Sequence, residues 1–409
     1  MGRPRWPAPY PRTVTELQPL AIATGEQARE ALPTLRAAVT GTGPAVLPYA
    51  AGGHPPQVAA GAVPDAGTAL VVGTSGSTGT PKLAMLPAQA LAASANSTHE
   101  RLGGPGDWLL AMPPHHIAGV QVLLRCIAAG TTPHFTDLTG GFTAAALTAA
   151  VAAMTGSTTS TGNRRRYTAV VPTQLVRCLA DPEATAALAS LDGVLVGGAA
   201  TAPTTLAAAR AAGIRAVTTY GMSETCGGCV YDWIPLRYSS VRTDGDGRIS
   251  LGGATLATGY LGRPDLTEQA FTTDPDGTRW FRTDDVGHLD DAGHWHVDGR
   301  IDDLINTGGL NVAPRVVEEA LTANLPVVTE AVVVGVPDPE WGQAVAAALT
   351  LTDGAPAPTL SDVRAALRGI LPDHALPRHL LVLDTIPSRG PGKPDRAAIA
   401  AAFRATMEP

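Results

Sequence analysis

Lysine is nearly missing from this chain. Of 29 basic residues among 409, only Lys82 and Lys393 are lysines, and the rest are arginine. Usage this rich in Ala, Gly and Arg fits a GC-rich genome, and surface charge is served equally well by arginine. A site that needs a compact, mobile ammonium is not. Both surviving lysines lie in Gly/Pro-containing loops, which marks them as candidate functional residues. Cysteine is also scarce: Cys126, Cys178, Cys226 and Cys229. Four thiols in a chain this long exclude a disulfide framework. Cys226-Gly-Gly-Cys229 has the spacing of a metal knuckle, but no second Cys or His pair matches it, so free thiols are expected. No run of about 18 apolar residues exists, so no membrane-spanning helix is expected. The N-terminal segment has charge but no apolar stretch after it, so no signal peptide is expected and the location reads as cytoplasmic. Excess basic charge is lacking as well. A net charge of −7 argues against a nucleic-acid-binding surface, and Arg164–Arg166 reads as part of a solvated loop.

What is present suffices for a folded chain with a sizeable core. Hydrophobic residues make up 44%, close to the globular norm. Gly (45) and Pro (35) make about a fifth of the chain, short of the roughly 25–30% expected of low complexity. From about 69 to 220, short apolar runs alternate with Ala/Leu-rich stretches. Strands are expected at 69–72, 108–112, 168–171, 193–196 and 214–218, with helices at 87–101 and 117–129. Such alternation predicts α/β sheets covered on both faces, with ligands bound beyond the strand ends. From about 241 to 300 the runs shorten and polar turns intervene, which predicts a small β subdomain. After Gly299 a helix at 312–324, strands at 331–336 and 344–351, a helix at 360–370 and a strand at 378–383 predict a small α+β domain. The expected division is 1–300 and 301–409, the second part mobile.

Three loops follow predicted strands and carry chemistry. The run Thr74, Ser75, Gly76, Ser77, Thr78, Gly79, Thr80, Pro81, Lys82 offers a turning backbone, five hydroxyls and one ammonium, which together suit a phosphate. It is not a Walker loop, because Lys82 follows Pro81 and no Ser or Thr follows the lysine. In Tyr220-Gly221-Met222-Ser223-Glu224-Thr225, Glu224 is a hard oxygen ligand suited to Mg²⁺, and Tyr220 offers a flat face to a purine. Gly197-Gly198-Ala199-Ala200 lets a planar base approach the backbone. Further on, Arg282-Thr283-Asp284-Asp285 places acids where ribose hydroxyls could donate. Gly299-Arg300-Ile301-Asp302-Asp303 joins the two parts of the chain, and Pro387–Lys393 holds the second lysine on a Gly/Pro-shaped loop.

In this order, across residues of about 69 to 400, these motifs resemble the adenylate-forming superfamily of acyl-CoA synthetases, luciferases and peptide-synthetase adenylation domains. The resemblance implies a phosphate loop at Thr74–Lys82, Mg²⁺ on Glu224 and ribose contacts from Asp285 and Arg300. It implies nucleotide contacts from Gly198, Ala199, Ala200, Tyr220, Gly221 and Met222, and a hinge at Asp302. Lys393 would touch acyl carboxylate and α-phosphate, with Ser223 and Lys82 beside the reacting groups. Gly308, Gly309 and Leu310 would line the path of coenzyme A. The chain departs from the family pattern at Leu83, Ser223, Asp284, Asn306 and Val316, and its first subdomain is short. Met112–Gly119 matches the acyl-pocket motif, with His116 at its histidine position and Arg125 on the same predicted helix. Two such cationic groups suit an acid with a second carboxylate. The compact chain, LLRCIAAG and TCGGCVYD most resemble actinobacterial o-succinylbenzoate–CoA ligases of menaquinone synthesis. The implied partners are ATP, coenzyme A and an aromatic carboxylic acid, with a homodimer left open. Two other readings stay open here: loading of a carrier-protein thiol, and a non-catalytic nucleotide sensor.

Overall fold

The computed structural model describes residues 16–74, 82–156, 164–387 and 394–407. These form two compact units. The first comprises Met1–Thr201, Thr205–Arg242 and Ser250–Thr283; the second comprises Ala202–Thr204, Thr243–Ile249 and Asp284–Pro409. The second unit therefore takes in residues 284–300 along with the C-terminal part.

The first unit contains two sheets with helices packed between them. In one sheet β1 (Leu17–Ile22), β2 (Ala45–Ala50) and β3 (Thr68–Gly73) are parallel. Strand β4 (Leu83–Pro87) then returns antiparallel to β3, and the strand Gly259–Tyr260 pairs antiparallel with β4. The other sheet has β5 (Gly106–Leu110), β6 (His134–Phe135), β7 (Arg165–Val170), β8 (Gly193–Val196) and β9 (Ala216–Met222), all parallel to their neighbours. Strands β10 (Gly227–Tyr231) and β11 (Ile234–Pro235) extend it as antiparallel hairpins. Helices α1 (Leu32–Thr40), α2 (Ala88–Arg101) and α3 (Ile117–Ala129) join both sheets in one apolar core. From Gly119 to Ile127 every residue of α3 is buried, so this helix has no solvent stripe of the kind a surface helix keeps.

One expected connection is different. Loop 74–82 does not lead from a strand into a helix. It joins two antiparallel strands, with Gly73 opposite Leu83 and the Thr74 amide donating to the Lys82 carbonyl at 2.8 Å. The run Leu83–Pro87 is short and apolar, which makes it hard to separate from the start of a helix by periodicity alone.

In the second unit Val328–Asp338 and Gly342–Leu351 form a long antiparallel pair. His379–Val382 adds in parallel and Ile305–Thr307 antiparallel. Alternate residues serve opposite faces. Val333, Ala347 and Leu349 pack on helix residues Val317, Leu321 and Val363, whereas Val332, Val334 and Ala348 pack on Ile399 and Phe403. Small alanines in the middle strand let both helical layers approach closely. The mixed α/β architecture expected from the sequence is the one observed.

Candidate active site

The candidate residues of the first unit gather around the turn at Ser223–Thr225, between β9 and β10. Residues Tyr220, Gly221 and Met222 lie at the end of β9 itself, not in a loop after Thr218. Side chains from three directions fix this turn. The Thr225 hydroxyl donates to the Gly227 carbonyl at 2.8 Å and accepts from the Met222 amide at 3.0 Å. The Cys226 carbonyl accepts from Ser94 on α2 at 3.0 Å and from the Gln121 amide on α3 at 2.6 Å. Cys226 itself is left-handed, at φ 55°, a conformation that is unusual outside glycine. Gly221 (φ 155°) admits nothing larger, because a Cβ there would lie 2.3 Å from the Gly227 carbonyl oxygen.

Glu224 is 6% exposed. The Tyr260 hydroxyl donates to its Oε1 at 2.8 Å, and its backbone carbonyl accepts from the Ala257 amide at 2.8 Å. The Lys82 ammonium sits 5.4 Å from the centroid of the same Tyr260 ring. The structure thus brings together the lysine that closes loop 74–82 and the acid of the Ser223–Thr225 turn, with Tyr260 between them. Sequence reading missed Tyr260. Its only local signal is an aromatic residue in a short strand ahead of the helix Pro264–Ala270.

Gly198, Ala199 and Ala200 follow β8 and are exposed. Ser75, Gly76, Ser77, Thr78, Gly79 and Lys393 lie outside the described residues. A cluster of three or more metal-ligating side chains is absent among the described residues. Glu224 nevertheless suits one ion, because Mg²⁺ beside phosphates commonly takes one or two carboxylates and completes its shell with phosphate and water.

At the start of α3, His116 is the N-cap and is exposed. Its ring lies 4.2 Å from that of His115. Burial, and then the neighbouring His116, lower the His115 pKa to about 4, so His115 is neutral near pH 7. Arg125 does not join them. It lies nine residues along, two and a half turns, which points it to the other side of the helix. It is 4% exposed, its Nη2 donates to the Tyr231 hydroxyl at 3.3 Å and its guanidinium lies 4.8 Å over the Trp108 ring. Burial lowers its pKa. The structure places Arg125 as a packed cation of the core between α3, β5 and β10, and not beside His116.

The second unit has its own polar cluster. Asp285 and Arg300 are directly opposite across strands Arg279–Leu289 and Trp295–Arg300. Arg300 lies 3.9 Å from Asp285 and 3.7 Å from Asp284. Its Nε donates to Asp302 at 2.9 Å, so the ribose candidates and the hinge candidate share one guanidinium. Asp284, where the family pattern has glycine, is also paired with Arg248 at 2.8 Å. Gly308 (φ 60°) and Gly309 (φ 78°) turn the chain into the strand Leu310–Val312, and Leu310 is 52% exposed.

Known proteins resemble this chain over most of its length. Residues 15–252 match the AMP-binding enzyme family and residues 317–393 match the AMP-binding enzyme C-terminal domain. The chain belongs to the AMP-binding enzyme family. A probable 2-succinylbenzoate–CoA ligase of Mycobacterium tuberculosis is 45% identical over 95% of this chain and 98% of its own length. A 2-succinylbenzoate–CoA ligase of Enterococcus faecalis is 29% identical over 80% of this chain and 67% of its own. Among solved structures, the Bacillus subtilis o-succinylbenzoate CoA synthetase in complex with its acyl-adenylate intermediate matches with a TM-score of 0.66 at 26% identity. It covers 81% of this chain and 69% of its own. An amide bond synthetase of Marinactinospora thermotolerans matches with a TM-score of 0.75 at 25% identity, covering 96% and 90%.

Proposed function

We infer that this member of the AMP-binding enzyme family is an ATP-dependent acid–CoA ligase whose acid is o-succinylbenzoate. The observation that carries the reaction type is the buried Glu224 carboxylate held by Tyr260, with the Lys82 ammonium on the same ring. The substrate rests on the 45% identity over 95% of the chain to a probable 2-succinylbenzoate–CoA ligase, and on the fold shared with a synthetase solved with that acyl-adenylate.

In the first half-reaction a carboxylate oxygen of the acid attacks the α-phosphorus of ATP, and pyrophosphate leaves. In the second, the thiol of coenzyme A attacks the acyl carbonyl, and AMP leaves. The protein's task in the first is to hold charge in place as it spreads over the phosphates. Loop 74–82 would surround the phosphates, with Lys82 as its cation. Glu224 would hold Mg²⁺, which when bound neutralises phosphate charge. Asp285 and Arg300 would hold the ribose hydroxyls. His116, at the open start of α3, would face the acid. Lys393 would bridge carboxylate and α-phosphate, and Asp302 would be the hinge about which the C-terminal segment turns between half-reactions. Gly308, Gly309 and Leu310 would line the pantetheine path.

The test is pyrophosphate release from ATP across a panel of aromatic acids, with and without coenzyme A. The expected result is release with o-succinylbenzoate and formation of its CoA thioester. Adenylation without thioester formation would refute the ligase reading, and preference for a simple benzoate would refute the substrate.

A further inference from the structure

Tyr260 belongs to none of the motifs that point to nucleotide chemistry, yet it touches two of them. Its hydroxyl donates to Glu224 at 2.8 Å. The opposite charge of the site, on Lys82, lies 5.4 Å from the centroid of its ring, within the range at which an ammonium is attracted to an aromatic face. The residue has little freedom to move. It is 3% exposed. Its backbone amide donates to the Thr267 hydroxyl at 2.9 Å, and its strand is paired with β4 through Tyr260 opposite Ala84. Its ring stands edge-on to Phe271 at 5.8 Å. The next turn back is anchored too: the Ala257 amide donates to the Glu224 carbonyl, while Arg279 donates to the carbonyls of Ala257 and Thr258.

We propose that Tyr260 is the positioning residue of the adenylation half-reaction, orienting the Glu224 carboxylate toward the metal and presenting its ring face to Lys82. A carboxylate on a two-bond stem rotates freely unless one oxygen is tied. The bond from Tyr260 ties Oε1 and so restrains the rotation of the carboxylate, as outer partners of metal ligands commonly do. The ring keeps the Lys82 ammonium on the side of the site where the phosphates arrive. One rigid side chain therefore holds Lys82 beside the acidic turn, although the two come from different sheets. The proposal rests on the reading of Glu224 as the Mg²⁺ ligand, and the test separates the two.

The full-length protein is titrated with Mn²⁺ in the presence of a non-hydrolysable ATP analogue, and bound Mn²⁺ is read by electron paramagnetic resonance. Tyr260→Phe keeps the ring and removes the donor. It is expected to weaken Mn²⁺ about tenfold, at the low end for loss of an outer partner of a metal ligand. Glu224→Gln is expected to weaken Mn²⁺ at least as much. The Tyr260→Phe/Glu224→Gln double variant should bind Mn²⁺ no more weakly than Glu224→Gln alone, because the Tyr260 hydroxyl acts on the metal only through that carboxylate. Tyr260→Leu should in addition weaken the metal-free analogue about two- to fivefold, through loss of the ring under Lys82. Wild-type Mn²⁺ affinity in Tyr260→Phe, with a weakened Glu224→Gln, would overturn the proposal and leave Glu224 as the ligand. Additive losses in the double variant would make Tyr260 a packing residue and overturn it as well. Unchanged affinity in both single variants would remove Glu224 from the metal and the proposal with it.

Discussion

Two buried side chains show how much a single residue's surroundings decide. Arg125 reads in sequence as a cation for a second substrate carboxylate, but it is packed against Trp108 and Tyr231 at 4% exposure. Arg125→Ala should therefore lower stability by about 2–5 kcal/mol, as deletion of a long buried side chain does. Turnover of dicarboxylates and monocarboxylates should fall alike, since no direct contact with the acid is lost. Urea unfolding and a comparison of KM for the two acid classes check this; a loss confined to dicarboxylates would restore the substrate role. His99 is the second case. Burial, and then the charge of Arg125, lower its pKa from 6.5 to about 4, and its Nε2 accepts from the Trp108 indole at 3.3 Å. The native state binds fewer protons than the unfolded chain between these values, so stability falls as pH drops below about 6.5. By pH 5 the loss from this one group is about 2 kcal/mol. Urea midpoints at pH 7 and pH 5 should show at least that loss, and His99→Gln should remove its share and leave that of His115.

Helix α3 connects the acyl-pocket motif to the acidic turn. His116 is its N-cap, Gln121 five residues on holds the Cys226 carbonyl, and Gly119 lets the start of the helix settle on the Pro113–Pro114 segment. A Cβ at Gly119 would lie 2.1 Å from the Pro113 carbonyl oxygen, while Gly130 at the C-cap has open space around it. Gly119→Ala should destabilise by about 1–3 kcal/mol through overpacking and raise KM for the acid, because His116 shifts with the helix start. Gly130→Ala meets only the strain of its φ of 67°, about 1–2 kcal/mol, and should leave KM for the acid unchanged. Thermal melts and acid-dependent kinetics of the two variants distinguish these effects; equal shifts in KM would sever α3 from the acid.

At the scale of the whole molecule the expected behaviour is a division of labour between half-reactions. Lys393→Ala should lose pyrophosphate release by about 10²–10³ in rate, the usual effect of removing one donor from a developing anion. It should still convert supplied acyl-adenylate and coenzyme A into thioester. Asp302→Pro should do the reverse, because proline removes backbone freedom from the proposed hinge. It also takes the carboxylate from Arg300, to which Asp302 is bonded at 2.9 Å, so Asp302→Asn serves as its control for charge alone. Single-turnover assays of each step decide the matter, and equal impairment of both steps in Lys393→Ala would end the two-stage reading.

Much of this protein was legible along the chain. The scarcity of lysine singled out Lys82 and Lys393, and the place of Gly197 just after β8 followed from a short apolar run bounded by glycine. The helix at 117–129 was read with the bounds that the structure has, Ile117–Ala129, because a long apolar segment ending in Gly130 leaves little choice. Those features are local: composition, spacing and backbone preference act within a few residues. The β3–β4 hairpin, Tyr260 beside Glu224 and the enclosure of Arg125 were not legible, because each depends on partners far away in sequence. Tyr260 and Glu224 are 36 residues apart and Arg125 and Tyr231 are 106 apart, and nothing in the order of residues says which side of a helix will meet which strand. The sequence by itself determined the class of chemistry and the residues available for it. Only the tertiary structure decided which of them are exposed, which are sealed in the core and which uncounted side chain touches two of them, since burial and contact are properties of the packed chain.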